Sequence, residues 1–231
     1  MLLPWIIIQG KSVKKNTPRL PEPTGARQGV VGTGPKLSLL ILGDSAAAGV
    51  GVEQQDQALL GAVLRQLEID FEVHYQLEAK TGRNTTQLIQ AAIELPAQQV
   101  DVLIVSVGVN DVTRLGSPKR WLKQQQQFIA MLQCRFQPRM IILSGVPPMQ
   151  EFPALPQPLA WLLGQYAVQM NQLMQQWLET QSDIYFLAYD LDEYRALNLS
   201  MASDGFHPSQ EIYQLWGSKI AQLIDQSDLH H

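Results

Sequence analysis

The residues best suited to chemistry form a short run near the C-terminus, Asp204-Gly205-Phe206-His207-Pro208. The chain has four histidines, and two of them, His230 and His231, are its last residues, so imidazole chemistry near neutral pH falls to His207 or His74. An Asp three positions before a His, with a Gly between and a Pro after, suits a turn that aims carboxylate and imidazole at one point. Such a pair needs a group to deprotonate. Gly43-Asp44-Ser45 offers a hydroxyl. Gly108-Val109-Asn110-Asp111 offers an amide that can donate to developing negative charge, which a carboxylate at position 110 would oppose. A serine beside a base, a base held by a third group and donors around an oxyanion are what acyl transfer requires. Each piece also has a plainer reading, Ser45 as a helix N-cap and Asn110-Asp111 as Asx turn residues.

Taken together, Gly43-Asp44-Ser45, Thr81-Gly82-Arg83-Asn84, Gly108-Val109-Asn110-Asp111 and Asp204-Gly205-Phe206-His207-Pro208 resemble the SGNH (GDSL-type) hydrolase family, in that family's order and over residues 43–208. Gly-x-Asn-Asp after a strand with Asp-x-x-His-Pro near the C-terminus is far more specific than Gly-Asp-Ser alone. The resemblance implies Ser45 as nucleophile, His207 as general base and then acid, and Asp204 as the group that fixes the imidazole tautomer. It implies an oxyanion hole from the backbone N–H groups of Ser45 and Gly82 and the Asn110 side-chain amide, with Asp44 and Asp111 as loop supports. It further implies a serine hydrolase for esters or thioesters, with no metal or organic cofactor; the single-domain form and the apolar loop over 146–158 favour a small or medium acyl group. An acyl- or acetyltransferase, or a carbohydrate deacetylase, would use the same site. A non-catalytic α/β binding module, with Ser45 capping a helix, is the alternative from a different class. The chain departs from the family where Ala46-Ala47-Ala48-Gly49 follow Ser45 in place of Leu and a small polar residue. Arg83 has no family role and reads as a solvated or paired cation.

The elements that must position these groups follow from periodicity. Leu37 to Leu42 and Val100 to Val107 are apolar runs of strand length, as in parallel strands buried on both faces, and each ends in a glycine and polar residues. Both deliver their polar residues to the C-terminal sheet edge, where open α/β sheets bind ligands. Further strands are expected over 71–77, 139–146 and 183–189, and helices over 53–68, 84–95, 118–136, 159–180 and 209–224. The alternation predicts a flavodoxin-like three-layer α/β/α fold with a five-stranded parallel sheet in the order 2-1-3-4-5. Residues 36–227 form the expected domain, and residues 1–35 an apolar tip with a Pro/Gly-rich extended leader. The loop after the fourth expected strand, 146–158, carries five prolines together with Met149, Phe152 and Leu155. These apolar residues are candidates for a wall of an acyl pocket with Trp161 at its base, or for a cap on the core.

Composition excludes several classes. The 231 residues are 45% hydrophobic and carry a net charge of −4, which gives no electrostatic footprint for nucleic acid. The single cysteine, Cys134, allows neither an internal disulfide nor a Cys/His zinc site, and the helical pattern around it reads as inert packing. His74 lies in an alternating stretch and reads as a strand residue. Met1 to Ile8 is apolar but much shorter than a spanning helix, and Lys11, Lys14 and Lys15 follow it, the reverse of a secretory signal. Packing or disorder of this segment is expected ahead of weak contact between residues 1–15 and a membrane surface. The corresponding location is the cytoplasm, with a peripheral membrane position as the alternative.

Overall fold

The computed structural model describes residues 3–227; Met1, Leu2, His230 and His231 lie outside the described residues. Helix α1 (Leu3–Asn16) precedes strands β1 (Gln28–Val31) and β2 (Lys36–Gly43), the one-turn helix α2 (Ser45–Ala48), a 3-10 turn at Gln55–Gln57 and α3 (Leu59–Leu67). Next come β3 (Glu72–Ala79), α4 (Thr85–Glu94), β4 (Val102–Ser106), short α5 (Val109–Val112), α6 (Pro118–Phe136) and β5 (Met140–Ser144). A 3-10 turn at Met149–Glu151, α7 (Leu159–Leu178), β6 (Ile184–Leu187), α8 (Leu191–Ala196) and α9 (Gln210–Asp225) complete the described chain.

The sheet order is β1-β3-β2-β4-β5-β6, and its last five strands are parallel in the expected 2-1-3-4-5 arrangement. The sheet has six strands, not five, because β1 from the expected leader pairs antiparallel with β3, Gln28 opposite Gln76 and Val31 opposite Val73. β1 is short and almost wholly exposed, so it left no alternating apolar pattern to read. Its contribution is to cover the backbone edge of β3. The apolar tip is likewise helical, and Ile6 and Val13 of α1 pack on the core.

Alternation along the buried strands builds the two core layers. Leu40 and Leu42 of β2, Leu103 and Val105 of β4 and Ile141 and Leu143 of β5 face one layer, which α4, α6 and α7 cover. Leu39, Ile41, Val102, Ile104, Met140 and Ile142 face the other, beneath α3 and α9. This burial on both faces is why the strands read as continuous apolar runs. Asn84 caps α4 through a reciprocal capping box with Gln87, which fixes where that helix leaves the sheet edge. The helix expected from residue 53 begins only at Leu59, because Ala58 is extended and the preceding turn is 3-10. Cys134 is exposed on the outer face of α6 and does not pack in the core. His74 is a strand residue, as expected, and pairs with Glu72 at 2.8 Å.

Candidate functional site

Strand β2 delivers Ser45 through a turn that only glycine permits. A Cβ on Gly43 would lie 2.3 Å from the Ala47 Cβ and 2.6 Å from the Ser106 carbonyl oxygen, so any side chain would push α2 off the sheet. The helix N-cap is Asp44, not Ser45. The Asp44 carboxylate accepts from the Ala46 N–H at 3.1 Å, and its own N–H donates to Ser106 O of β4. Ser45 is thereby held as the first residue of α2, with its hydroxyl free of capping.

From the other end of the chain, residues 201–208 form a locally bonded turn. Ala202 N–H donates to His207 O and Gly205 N–H to Ala202 O, and Met201 bridges to Pro208. One Asp204 oxygen accepts the backbone N–H groups of Phe206 and His207, each at 2.9 Å. The other stands 2.6 Å from His207 Nδ1, and His207 Nε2 stands 2.9 Å from Ser45 Oγ. An acceptor-only carboxylate at Nδ1 sets the tautomer: Nδ1 carries the proton and Nε2 is left to accept the Ser45 hydroxyl. The Asp204 side chain is fully buried. Burial penalises its charge, but hydrogen bonds from the His207 ring and from the His207 and Phe206 backbone outweigh that and hold its carboxyl below the usual range. The arrangement is a hydroxyl–imidazole–carboxylate chain poised to take a proton from Ser45.

The structure places Gly82 on the turn after β3 and Asn110 in the one-turn helix α5 after β4, at the same sheet edge. Gly82 has φ +82°, a left-handed conformation that explains the glycine, and no atom lies within 4 Å of a Cβ built there. Asn110 donates one of its amide N–H groups to Arg83 O at 2.9 Å, which ties its loop to that of Gly82. Neither Gly82 nor Asn110 lines the cavity beside Ser45, whereas Gly108 and Val109 do. Asp111 supports the assembly by accepting from the Thr85 N–H at 3.0 Å and its hydroxyl at 2.9 Å, and Gln125 donates to that hydroxyl in turn. Arg83 is paired with Glu78 at 2.7 Å. Glu22 escaped the sequence reading: it accepts from the N–H and the hydroxyl of Thr81, each at 2.7 Å, and so anchors the turn that holds Gly82. Its only signal was a lone carboxylate between two prolines.

A cavity of about 440 Å³ opens beside Ser45 and His207. Pro147, Pro148, Phe152 and Pro153 form one wall, and Leu191, Tyr194, Leu199 and Met201 the other. The Arg195–Glu151 ion pair, at 2.9 Å, joins the two walls. Of the three apolar loop residues expected to line an acyl pocket, only Phe152 does so, held edge-to-face against Phe206 with ring centroids 5.1 Å apart. Met149, in the 3-10 turn, and Leu155, beyond it, are both buried in the core layer that includes the apolar side chains of α7. Trp161 is exposed on α7 and is not at the pocket base. The wall from α8 was missed, although Asp190 followed by Asp192 and Glu193 is a helix-start signature; Asp190 caps both N–H groups. Among the described residues no group of three or more His, Cys, Asp or Glu side chains is placed to hold a metal ion.

Asp44 is buried behind Ser45. Burial, reinforced by the nearby Asp111 carboxylate, pushes its pKa up from 3.8 to about 7, and burial raises Asp111 as well. A folded-state pKa above the unfolded one means that the native protein binds the extra proton. The stability it contributes is full below the unfolded value and is lost as pH rises through about 7. Asp44→Asn keeps a good N-cap and removes the charge. The variant is therefore expected to lose less stability than the parent between about pH 5 and pH 8, a difference to be read from urea midpoints at both pH values. An equal loss in both proteins would show that Asp44 does not titrate in this window.

The model of the GDSL-like lipase/acylhydrolase family matches residues 41–215. A search of curated protein sequences returns no match. Among solved structures, a lipase from a goat rumen metagenome is similar at 19% identity and a TM-score of 0.66, covering 80% of this chain and 96% of its own. An esterase from Pseudoalteromonas sp. is similar at 18% identity and 0.61, covering 82% and 97%. A carbohydrate acetylesterase from Sinorhizobium meliloti is similar at 20% identity and 0.59, covering 82% and 98%.

Proposed function

This chain belongs to the GDSL-like lipase/acylhydrolase family and is by class a carboxylic ester hydrolase, and we propose that it works through an acyl-enzyme on Ser45. The observation that carries the reading is the unbroken Ser45–His207–Asp204 hydrogen-bond chain, with distances of 2.9 and 2.6 Å. As Ser45 Oγ bonds to the carbonyl carbon, its proton passes to His207 Nε2, and Asp204 stabilises the imidazolium that forms. The proton then goes to the leaving oxygen or sulfur as its bond to the carbonyl carbon breaks. Water, deprotonated by the same nitrogen, attacks the acyl carbon; the bond to Ser45 Oγ breaks, His207 returns the proton to Oγ, and the acid leaves. The Ser45 and Gly82 backbone N–H groups and the Asn110 amide are assigned to the oxyanion. Each such donor contributes about 2.7–4 kcal/mol to the transition state. For Asn110 this requires its second N–H, since the first holds Arg83 O.

The substrate is a small-molecule ester or thioester with a short or medium acyl chain. A cavity of about 440 Å³ between a proline-rich wall and a wall of Leu191, Tyr194, Leu199 and Met201 is within the range of small-ligand sites and suits an apolar chain more than a polyol. A p-nitrophenyl ester series from acetate to palmitate tests this reading, with an organophosphonate probe to trap the nucleophile. Hydrolysis that peaks at intermediate length, with phosphonate on Ser45, supports it; no hydrolysis and no labelling would sink it. The wall has its own test. Phe152→Ala is expected to lower kcat/KM for the preferred chain length by roughly tenfold or more, and to shift the optimum towards longer chains. An unchanged chain-length profile in a folded variant would mean that Phe152 only packs against Phe206.

A further inference from the structure

Helix α1 has two unlike faces. Its inner face is fixed: Ile6 and Val13 pack on the core, and the buried Gln9 donates to Gln157 O at 2.6 Å and accepts from the Leu159 N–H at 3.2 Å. Its outer face is apolar at the start and basic at the end. Trp5, Ile7 and Ile8 are 56%, 51% and 58% exposed, and Lys11, Lys14 and Lys15 follow on the solvent side. Helix α1 contains no acidic residue, and among the described residues no carboxylate pairs with these lysines. A second tryptophan, Trp161, is 57% exposed on α7, one turn beyond the Gln157 carbonyl that Gln9 holds.

Packing explains none of these outer residues. Large apolar side chains left in water next to a cluster of lysines match one environment, the boundary between phosphates and acyl chains at an anionic bilayer surface. Tryptophan favours that boundary because its ring is apolar and its N–H needs a polar partner. The chain as a whole carries a net charge of −4, so its attraction to an anionic surface has to be local, and α1 is where the basic residues cluster beside apolar ones. We propose that α1 docks the protein on anionic phospholipid, with Trp5, Ile7 and Ile8 entering the boundary and the three lysines meeting phosphates. The helix lies on the surface and does not cross it: no described helix is long and apolar enough to span a membrane. Docking also has a route to the site. The loop whose Pro147, Pro148 and Phe152 wall the cavity ends at Gln157, the residue that α1 grips, so the bilayer and the acyl pocket bear on opposite ends of one segment.

The test is co-sedimentation of the full chain with vesicles of phosphatidylcholine, alone and with phosphatidylglycerol, at low and high salt. Binding is expected only to the anionic vesicles and is expected to fall with salt. The combined variant Lys11→Ala, Lys14→Ala, Lys15→Ala should weaken it on the order of a hundredfold. The pair Trp5→Ala, Ile8→Ala should weaken it at least on the order of tenfold. Hydrolysis of a water-soluble acetate ester should be unchanged in both variants, which reports folding independently of docking. Absence of binding at low salt, equal binding to both vesicle types, or binding that neither variant reduces overturns the proposal. A concentration-dependent dimer that Trp5→Ala, Ile8→Ala dissolves, without vesicle binding, would overturn it in favour of a second copy of this chain on the same face.

Discussion

Ser45→Ala is expected to lower kcat on p-nitrophenyl butyrate by roughly 10⁴–10⁶-fold while leaving the melting temperature nearly unchanged. On the proposed mechanism the substitution removes the atom that forms the acyl-enzyme, so what remains is binding and oxyanion stabilisation of direct attack by water. The small effect on stability follows from the capping geometry. Asp44, not Ser45, caps α2, and alanine at the first helical position continues a run of three alanines. The substitution removes one hydrogen bond to His207 Nε2, which water can replace in a site open to solvent. Steady-state kinetics, phosphonate labelling and a thermal melt on the same preparation separate the two effects. If the folded variant keeps more than about a tenth of the activity, a triad member's usual contribution is absent and Ser45 is not the nucleophile.

The second large effect is expected at Asp204→Asn, which should cost on the order of 10⁴-fold in kcat. Asparagine can keep the backbone bonds from Phe206 and His207 through its carbonyl oxygen, so the turn survives. Its NH₂ group then faces His207 Nδ1 in place of a carboxylate oxygen, and a donor there needs Nδ1 as acceptor. The ring proton moves to Nε2, the nitrogen that must accept from Ser45, and the base is lost although every heavy atom is in place. Rate measurement with a crystal structure of the variant checks this, together with a histidine NMR spectrum that reports the tautomer. Full activity with the proton on Nε2 would require another base.

Much of this was legible in the sequence because the relevant signals are local. A glycine ending an apolar run marks the strand edge, and Asp204 and His207 are three residues apart, so their pairing needed only a turn. The central strands β2, β4 and β5 could be placed because burial on both faces makes each a continuous apolar run, and β3 because it alternates. What escaped is what depends on distant partners. β1 exists because β3 has an open edge; its own four residues, nearly all exposed, announce nothing. Glu22 matters only because residues 59 positions away fold back onto it. Met149 and Leu155 are apolar like Phe152, and how the loop folds back onto the core, which no spacing encodes, decides which one meets the cavity. Arg195 and the α8 wall depend on a six-residue helix with no buried residue, too short for an amphipathic period.

Ser45 and His207 are 162 positions apart, one leaving the second strand and the other arriving after the last. The reactive pair therefore cannot form within any partial chain that lacks the turn before α9, and closing so long a span is among the entropically costliest steps of folding. During synthesis every nascent chain that ends before His207 is without the proposed base. Ester hydrolysis consequently serves as an assay of completed assembly: its recovery after dilution from denaturant should follow the docking of α9 beneath the sheet, and lag behind any optical signal from the strands that form first.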